Sequence, residues 1–230
     1  ARREFSFSRL SGTFQPVVLP DEEPLEENAA AAEAETVGDP LGLGTLVHAV
    51  LEAVDFGLPP DDHELKSLVA HLAAEHLGED LAQSAEAEEM LARFLASPRA
   101  AELAAASQVE QEIEFLVAWP PESSFGKNSR YFRGYIDCLH QDARGRWHLL
   151  DYKTNRTTLA TVESTAQKYE VQMFVYGLAA TRVLGFAPTS TALYFLRPGV
   201  EYHFRFTEAD RERMVQLVNR GTAKWVREGR

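Results

Sequence analysis

Two stretches, Gly134-Tyr135-Ile136-Asp137 and Leu149-Leu150-Asp151-Tyr152-Lys153-Thr154-Asn155, decide how the rest of the chain is read. Between them, Gln141-Asp142-Ala143-Arg144-Gly145 makes a short, glycine-containing connection, so strands are predicted at 130–140 and 146–153, paired as a hairpin. Side chains alternate along a strand, which puts Asp151 and Lys153 on one face and Tyr152 on the other. Asp137 lies on the neighbouring strand, within reach of Asp151. Two carboxylates brought together repel, and each is costly to bury unless a cation intervenes. Their oxygens suit a hard divalent ion, Mg²⁺ above all. A lysine beside such an ion can orient a water and offset charge growing on phosphate. The same residues also admit a plainer reading, a cross-strand salt bridge between Asp137 and Lys153.

Working outward, the period is 2 over 108–119. Val109, Gln111, Ile113, Phe115 and Val117 are expected on one face, and Glu110, Glu112 and Glu114 on the other. Before this strand the period is helical, with helices predicted near 44–55, 61–77, 80–96 and 98–106. After the hairpin come a long helix at 162–184, strands at 190–197 and 200–206, and a closing helix at 208–227 capped by Thr207. Residues 121–129 read as a polar loop and 1–19 as an N-terminal arm. Residues 20–40 read as a flexible acidic linker, with eight acidic residues and no Lys, Arg or aromatic between Pro20 and Asp39. The fold class is therefore mixed α/β: a central mixed sheet flanked by helices, with an additional N-terminal helical layer. Residues 41–230 form one domain, helical over 41–107 and built on the sheet over 108–230.

The chain's 230 residues are 45% hydrophobic, enough for a sizeable core. Its net charge of −12 divides unevenly: residues 1–110 carry −16 and residues 111–230 carry +4. The mildly basic half can face phosphate; ordinary solvated surface explains the split as well. No apolar run is long enough to span a bilayer, and no membrane association is expected. The lone cysteine, Cys138, allows no internal disulfide and no cysteine-rich cluster, which favours a reducing, cytoplasmic setting. The chain opens Ala-Arg-Arg-Glu-Phe, without an apolar signal region, and reads as a piece of a longer polypeptide. Gly126-Lys127-Asn128 lacks the other residues of a phosphate-binding loop.

Two further features bear on the Asp-x-Lys strand. Tyr169, Gln172 and Tyr176 fall on one stripe of the following helix, suited to hold DNA or a catalytic carboxylate, or else to sit half-buried in a core. His48, in Gly44-Thr45-Leu46-Val47-His48, sits near the start of the first helix, where a surface role is the ordinary one.

Gly-x-x-x-His, Gly-x-x-Asp, Asp-x-Lys and Tyr-x-x-Gln-x-x-x-Tyr thus occur in order. Together they resemble the nuclease domain of RecB/AddA-type helicase–nucleases, in the PD-(D/E)XK superfamily. The resemblance runs from Gly44 to Gly185 and is firmest from Gly134 to Tyr176. It implies a restriction-endonuclease-like core. Asp137 and Asp151 would be metal-binding carboxylates, His48 a further ligand, and the Tyr152 carbonyl would complete the shell. Lys153 would be the catalytic lysine. Gln172 and Tyr176 would buttress the site, with Tyr169 before them contacting DNA. Glu112 is carried over weakly, because three alternating glutamates also make a solvated strand face.

The implied activity is Mg²⁺-dependent hydrolysis of DNA phosphodiesters, with Mn²⁺ as a substitute and no iron–sulfur cluster. The implied polarity leaves 5′-phosphate ends. An exonuclease working in double-strand-break repair or recombination is expected, fed single strands by a helicase motor N-terminal in the same polypeptide. Partner subunits of a RecBCD/AddAB-type complex are implied as well. Backbone contacts from Arg130, Arg133, Arg156 and Lys168 would hold DNA with little sequence preference. Two other readings stay open: an inert nuclease-fold scaffold guiding DNA or partners, and a hydrolase of small phosphates.

Overall fold

The computed structural model describes residues 4–6, 41–76, 81–120 and 130–228. The acidic linker, the 121–129 loop and most of the N-terminal arm lie outside the described residues. The spine of the sheet is β3 (Arg130–Gln141). β2 (Gln108–Trp119) runs antiparallel along its whole length, from Gln108 opposite Gln141 to Trp119 opposite Arg130. On the other side, β4 (Trp147–Lys153) pairs antiparallel with β3 only from Trp147 opposite Gln141 to Leu150 opposite Cys138. The turn between them is tight because Asp142 Oδ1 accepts the N–H groups of Arg144 and Arg146, each at 2.9 Å, and Gly145 takes a φ of 77°. β5 (Ser190–Phe195) lies parallel to β4, and β6 (Val200–Phe204) antiparallel to β5. A short β1 (Glu4–Ser6) runs parallel to β3 beside Tyr131, Phe132 and Arg133.

A parallel β4–β5 pair needs a crossover. The sequence predicts one long helix there, at 162–184; the structure has two, α5 (Val162–Gln167) and α6 (Glu170–Leu184). The N–H groups of Lys168 and Tyr169 bond back three residues, to Thr165 and Ala166, and this tightening ends α5 before Tyr169 caps α6. Gly185, left-handed at φ 80°, closes α6.

Four helices cover one face of the sheet: α1 (Leu41–Ala53), α2 (Asp62–His76), α3 (Leu81–Leu95) and α4 (Pro98–Ala104). Ser97 caps α4 through its hydroxyl, 3.2 Å from the Ala100 N–H, with Pro98 at the first helical position. α7 (Glu208–Glu228) begins with a reciprocal cap, as predicted at Thr207: the Thr207 hydroxyl accepts from the Asp210 N–H and the Asp210 carboxylate accepts from the Thr207 N–H.

The sheet separates two cores. Toward α1–α4, Leu46, Val50 and Phe94 pack on Cys138, Leu150, Tyr152 and Tyr194, with the Phe94 ring edge-on to Phe56, Tyr152 and Tyr194. Toward α5–α7, Phe115, Phe132, Leu149 and Phe195 pack on Phe174, Val175 and Met214.

The structure corrects the predicted alternation of β2. Val109 packs on the α1–α4 core and the Gln111 side-chain amide donates to the Leu51 carbonyl of α1, whereas Ile113, Phe115 and Val117 belong to the opposite core. β3 changes faces at the same place, since Cys138 belongs to the first core and Ile136 to the second. The pivot is Glu112, left-handed at φ 48°, a conformation that reverses the side-chain alternation. Glu112 stands opposite Asp137, the one missing bridge in an otherwise continuous register.

His140 and His148 face one another across β3 and β4 and stack with ring centroids 5.1 Å apart. Burial, then the Arg99 guanidinium and His148, push the His140 imidazole down from 6.5 to about 4. The folded chain therefore favours neutral His140, and the stability this gives, about 3 kcal/mol, is present above pH 6.5 and lost as pH falls through 4. Urea unfolding of His140→Phe between pH 7 and 4 is expected to show a clearly shallower loss of stability than the parent chain.

Candidate active site

Beyond Cys138 and Leu150 the two strands of the hairpin part. β3 continues with β2 as far as Arg130, while β4 continues with β5 as far as Lys153 opposite Phe195. The fork leaves the Tyr152 N–H without a strand carbonyl on the β3 side. Asp137 supplies the replacement: its Oδ2 accepts that N–H at 2.7 Å, and its side chain is almost fully buried.

Three parts of the fold converge on this point. From the helical layer, α1 brings His48, held in place because Leu46, Val47 and Val50 are fully buried around it. His48 Nδ1 lies 3.5 Å from Asp137 Oδ2 and 3.8 Å from Glu112 Oε1. One ligating atom from each of His48, Glu112 and Asp137 falls within 4.8 Å of the others. From β4, Asp151 is buried to 1% exposure, with Lys153 Nζ 2.7 Å from its Oδ2. From α6, the Gln172 amide donates to Asp151 Oδ1 at 3.2 Å.

Aromatic side chains back this arrangement. The Lys153 ammonium sits 4.6 Å from the centre of the Tyr169 ring, and the Tyr169 hydroxyl donates to Asn155 Oδ1 at 2.8 Å. Tyr176 is buried one turn beyond Gln172, its ring edge-on to Phe115 at 5.4 Å. Gly134 is required here: a Cβ would stand 2.9 Å from the Phe115 ring and 3.7 Å from that of Tyr176. The Gly of Gly-x-x-Asp and the second Tyr of the α6 motif thus belong to one packing unit.

His48, Asp137, Asp151, Lys153, Gln172 and Tyr169 are therefore together, with Tyr176 behind them. The cross-strand salt bridge between Asp137 and Lys153 does not form; Lys153 pairs with Asp151 on its own strand. The Tyr152 backbone lies at the fork, while its side chain is buried in the α1–α4 core. Arg133 is exposed and ion-paired with Glu114. Arg156 and Lys168 are exposed as well, and the Arg130 side chain lies outside the described residues. Glu112, only weakly indicated by sequence, stands with His48. Asn155, which anchors Tyr169, carries no sequence signal beyond its place after Asp-x-Lys-Thr.

The electrostatics follow from crowding acids around two cations. Burial pulls the His48 imidazole down, but the Asp137 carboxylate and the nearby Glu112 carboxylate outweigh it and raise it from 6.5 to about 9. Burial and Asp137 raise Asp151 to about 6 despite Lys153. For Lys153, burial is outweighed by Asp151, so the ammonium is held charged well above its ordinary range. Burial raises the Tyr176 hydroxyl, keeping it protonated. One imidazole nitrogen and several carboxylate oxygens at such separations fit a hard divalent cation.

With divalent ions chelated, His48 is expected to titrate near pH 9 by NMR, and in Asp137→Asn to fall back toward 6.5 or below. Because the folded value is the raised one, its stabilisation is present below pH 6.5 and lost as pH rises through 9. A His48 that titrates near 6.5 in the parent chain would contradict the ion-pair geometry.

Comparison with known proteins identifies the family. Residues 24–229 match the family profile of the PD-(D/E)XK nuclease superfamily. An ATP-dependent helicase/nuclease subunit of Pelotomaculum thermopropionicum is 29% identical over 164 residues, covering 69% of this chain and 13% of that protein. The protein of the same name from Acetivibrio thermocellus is 26% identical over 181 residues, covering 75% and 13%. That of Heliobacterium modesticaldum is 34% identical over 124 residues, covering 50% and 9%. The chain therefore spans about one eighth of the length of the first two relatives. No helix among the described residues is long and apolar enough to cross a membrane. With the profile matched over most of its length, a mixed sheet between two helical layers, and the Asp-x-Lys strand at a fork, the chain belongs to the PD-(D/E)XK nuclease superfamily.

Proposed function

We propose that this chain is a divalent-cation-dependent deoxyribonuclease that hydrolyses phosphodiesters of DNA. The observation that carries this reading is the pairing of the part-buried Lys153 with the buried Asp151, set beside the His48, Glu112 and Asp137 cluster. A buried carboxylate held by one part-buried ammonium, with further acids across a fork, is costly to maintain for packing alone. Mg²⁺ or Mn²⁺ held by His48, Asp137, Asp151 and the Tyr152 carbonyl, with Glu112 adjoining, would supply a Lewis acid at the phosphoryl oxygen and a water of lowered pKa.

The chain's own residues do the rest. Lys153, permanently charged, orients the attacking water and offsets the charge that grows on the phosphate. Gln172 holds Asp151 so that its second oxygen stays directed at Lys153. Tyr169 caps the ammonium from above and, through Asn155, fixes the chain leaving β4. Tyr176 and Phe115, packed edge-on to each other against Gly134, form the floor of the site. Backbone contacts from Arg156 and Lys168, both exposed, give affinity without base readout.

In the intact protein, the relatives' naming as helicase/nuclease subunits supports a fused helicase motor that delivers single strands to an exonuclease. Repair or recombination of broken DNA in the cytoplasm is the corresponding setting. A tethered motor raises the local concentration of strand, which relieves an acidic chain of the need for high intrinsic affinity. Subunits of a RecBCD/AddAB-type complex are the expected partners.

Cleavage of linear single- and double-stranded DNA with Mg²⁺, Mn²⁺ or EDTA tests the reading. Metal-dependent cleavage is expected, lost at least ~100-fold in Lys153→Ala and in Asp151→Asn. Without a divalent ion Asp151 takes up a proton as pH falls through about 6, so the ion must displace that proton and its binding should weaken below pH 6. Cleavage unchanged by Lys153→Ala would remove the catalytic assignment. No cleavage by any form, together with no Mn²⁺-induced rise in melting temperature, would favour an inert scaffold.

A further inference from the structure

The α1–α4 layer covers only part of its sheet face. At the Glu112/Asp137 pair the β2–β3 ribbon emerges from under α1, and the next residues on that face are Glu114 opposite Tyr135, then Leu116 opposite Arg133. All four are about half exposed: Tyr135 is 46% exposed, Leu116 48%, and the side chains of Glu114 and Arg133 49% and 52%. The opposite face of the same ribbon is closed, since Phe115, Val117, Phe132 and Ile136 are all buried in the α5–α7 core. An aromatic and an aliphatic side chain therefore stand half-exposed on the β2–β3 ribbon, with β1 along its edge beside Arg133. The strip begins one cross-strand pair from the acidic cluster, about 7 Å along the strand.

We infer that this strip is the track for the single strand entering the site, with Tyr135 as the platform on which a base stacks. The inference rests on the nuclease reading above and adds the residue that positions its substrate. Three features select a nucleic-acid strand as the occupant. The strip is continuous with the candidate active site on the same sheet face. Its phenol ring and leucine offer a flat apolar surface that suits every base, because each has a π-face. Its two charges, Arg133 and Glu114, are bound to each other and offset, so the strip neither demands nor repels a phosphate backbone strongly. A duplex would have its bases hidden in the stack and could not use Tyr135 in this way, so the strip discriminates for single strands.

The test uses the whole chain and an oligo(dT) single strand carrying one 2-aminopurine, bound in EDTA. Tyr135→Ala is expected to bind about 5- to 100-fold more weakly than the parent chain, and Tyr135→Phe within about twofold of it. Quenching of the 2-aminopurine by stacking should persist in Tyr135→Phe and disappear in Tyr135→Ala, a change that loss of mere surface area would not produce. With Mg²⁺ restored, the defect of Tyr135→Ala should appear in KM for single strands more than in kcat, and cleavage of blunt duplex should respond less. Equal binding, quenching and KM in parent and Tyr135→Ala, with melting temperatures matched, would overturn the inference while leaving the nuclease intact. A parent chain that cleaves no DNA with any metal yet binds the oligonucleotide through Tyr135 would instead overturn the nuclease reading alone. A duplex bound as tightly as the single strand, and weakened equally by Tyr135→Ala, would overturn the strand preference.

Discussion

Everything about the site depends on one hydrogen bond, from the Tyr152 N–H to the Asp137 carboxylate. β3 and β4 part beyond Cys138 and Leu150, and parting strands leave backbone donors without acceptors. A buried donor left unsatisfied costs about 1–3 kcal/mol. The carboxylate closes that gap with a charge-assisted bond, which fixes Asp137 in the fork. Removing the side chain would cost both an acid and the seal of the fork. In this sense the opening of the sheet and the placement of the first carboxylate are the same structural event.

The second constraint is electrical. At neutral pH, the cations that Glu112, Asp137 and Asp151 face among the described residues are His48 and Lys153, and both are held protonated by the acids around them. The cluster is one positive charge short of balance. A divalent ion in place of the His48 proton would restore it, and ion uptake would then be coupled to proton release. Lys153 cannot play the same part. It pairs with Asp151 at 2.7 Å and is shielded by Tyr169, so it keeps its charge whatever occupies the other side of the fork. The two cationic groups near the acids thus differ in setting: His48 stands with Glu112 and Asp137, Lys153 with Asp151 and Tyr169.

Much of this was legible in the sequence because strand alternation is a short-range rule. The bounds of β2 are as predicted, the hairpin strands differ by one residue, and Asp151 and Lys153 share a face as their spacing requires. The partner of Lys153 was not legible, since choosing Asp151 over Asp137 depends on where β3 and β4 separate. Nor was the break at Lys168 and Tyr169, where no Gly or Pro marks the end of α5. Glu112 is the sharpest case. Glu-Ile-Glu-Phe contains none of the residues that favour a left-handed backbone, yet Glu112 adopts φ 48°. Only tertiary packing, with Gln111 drawn to α1 and Ile113 to the opposite core, can hold it there.

That left-handed residue explains why the site lies between layers rather than on one of them. Upstream of it the β2–β3 ribbon presents Val109, Gln111 and Cys138 to α1–α4; downstream it presents Ile113, Phe115 and Ile136 to α5–α7. At the crossover neither face is committed to a core, so Glu112 and Asp137 are free to meet His48 from one layer while Asp151 meets Gln172 from the other. A ribbon of regular alternation would have buried both acids in one core or exposed both to water. Non-glycine residues at positive φ cost of order 1–3 kcal/mol and persist where the surroundings over-determine them. Here that strain is the structural condition for joining an imidazole, three carboxylates and an ammonium from both sides of a single sheet.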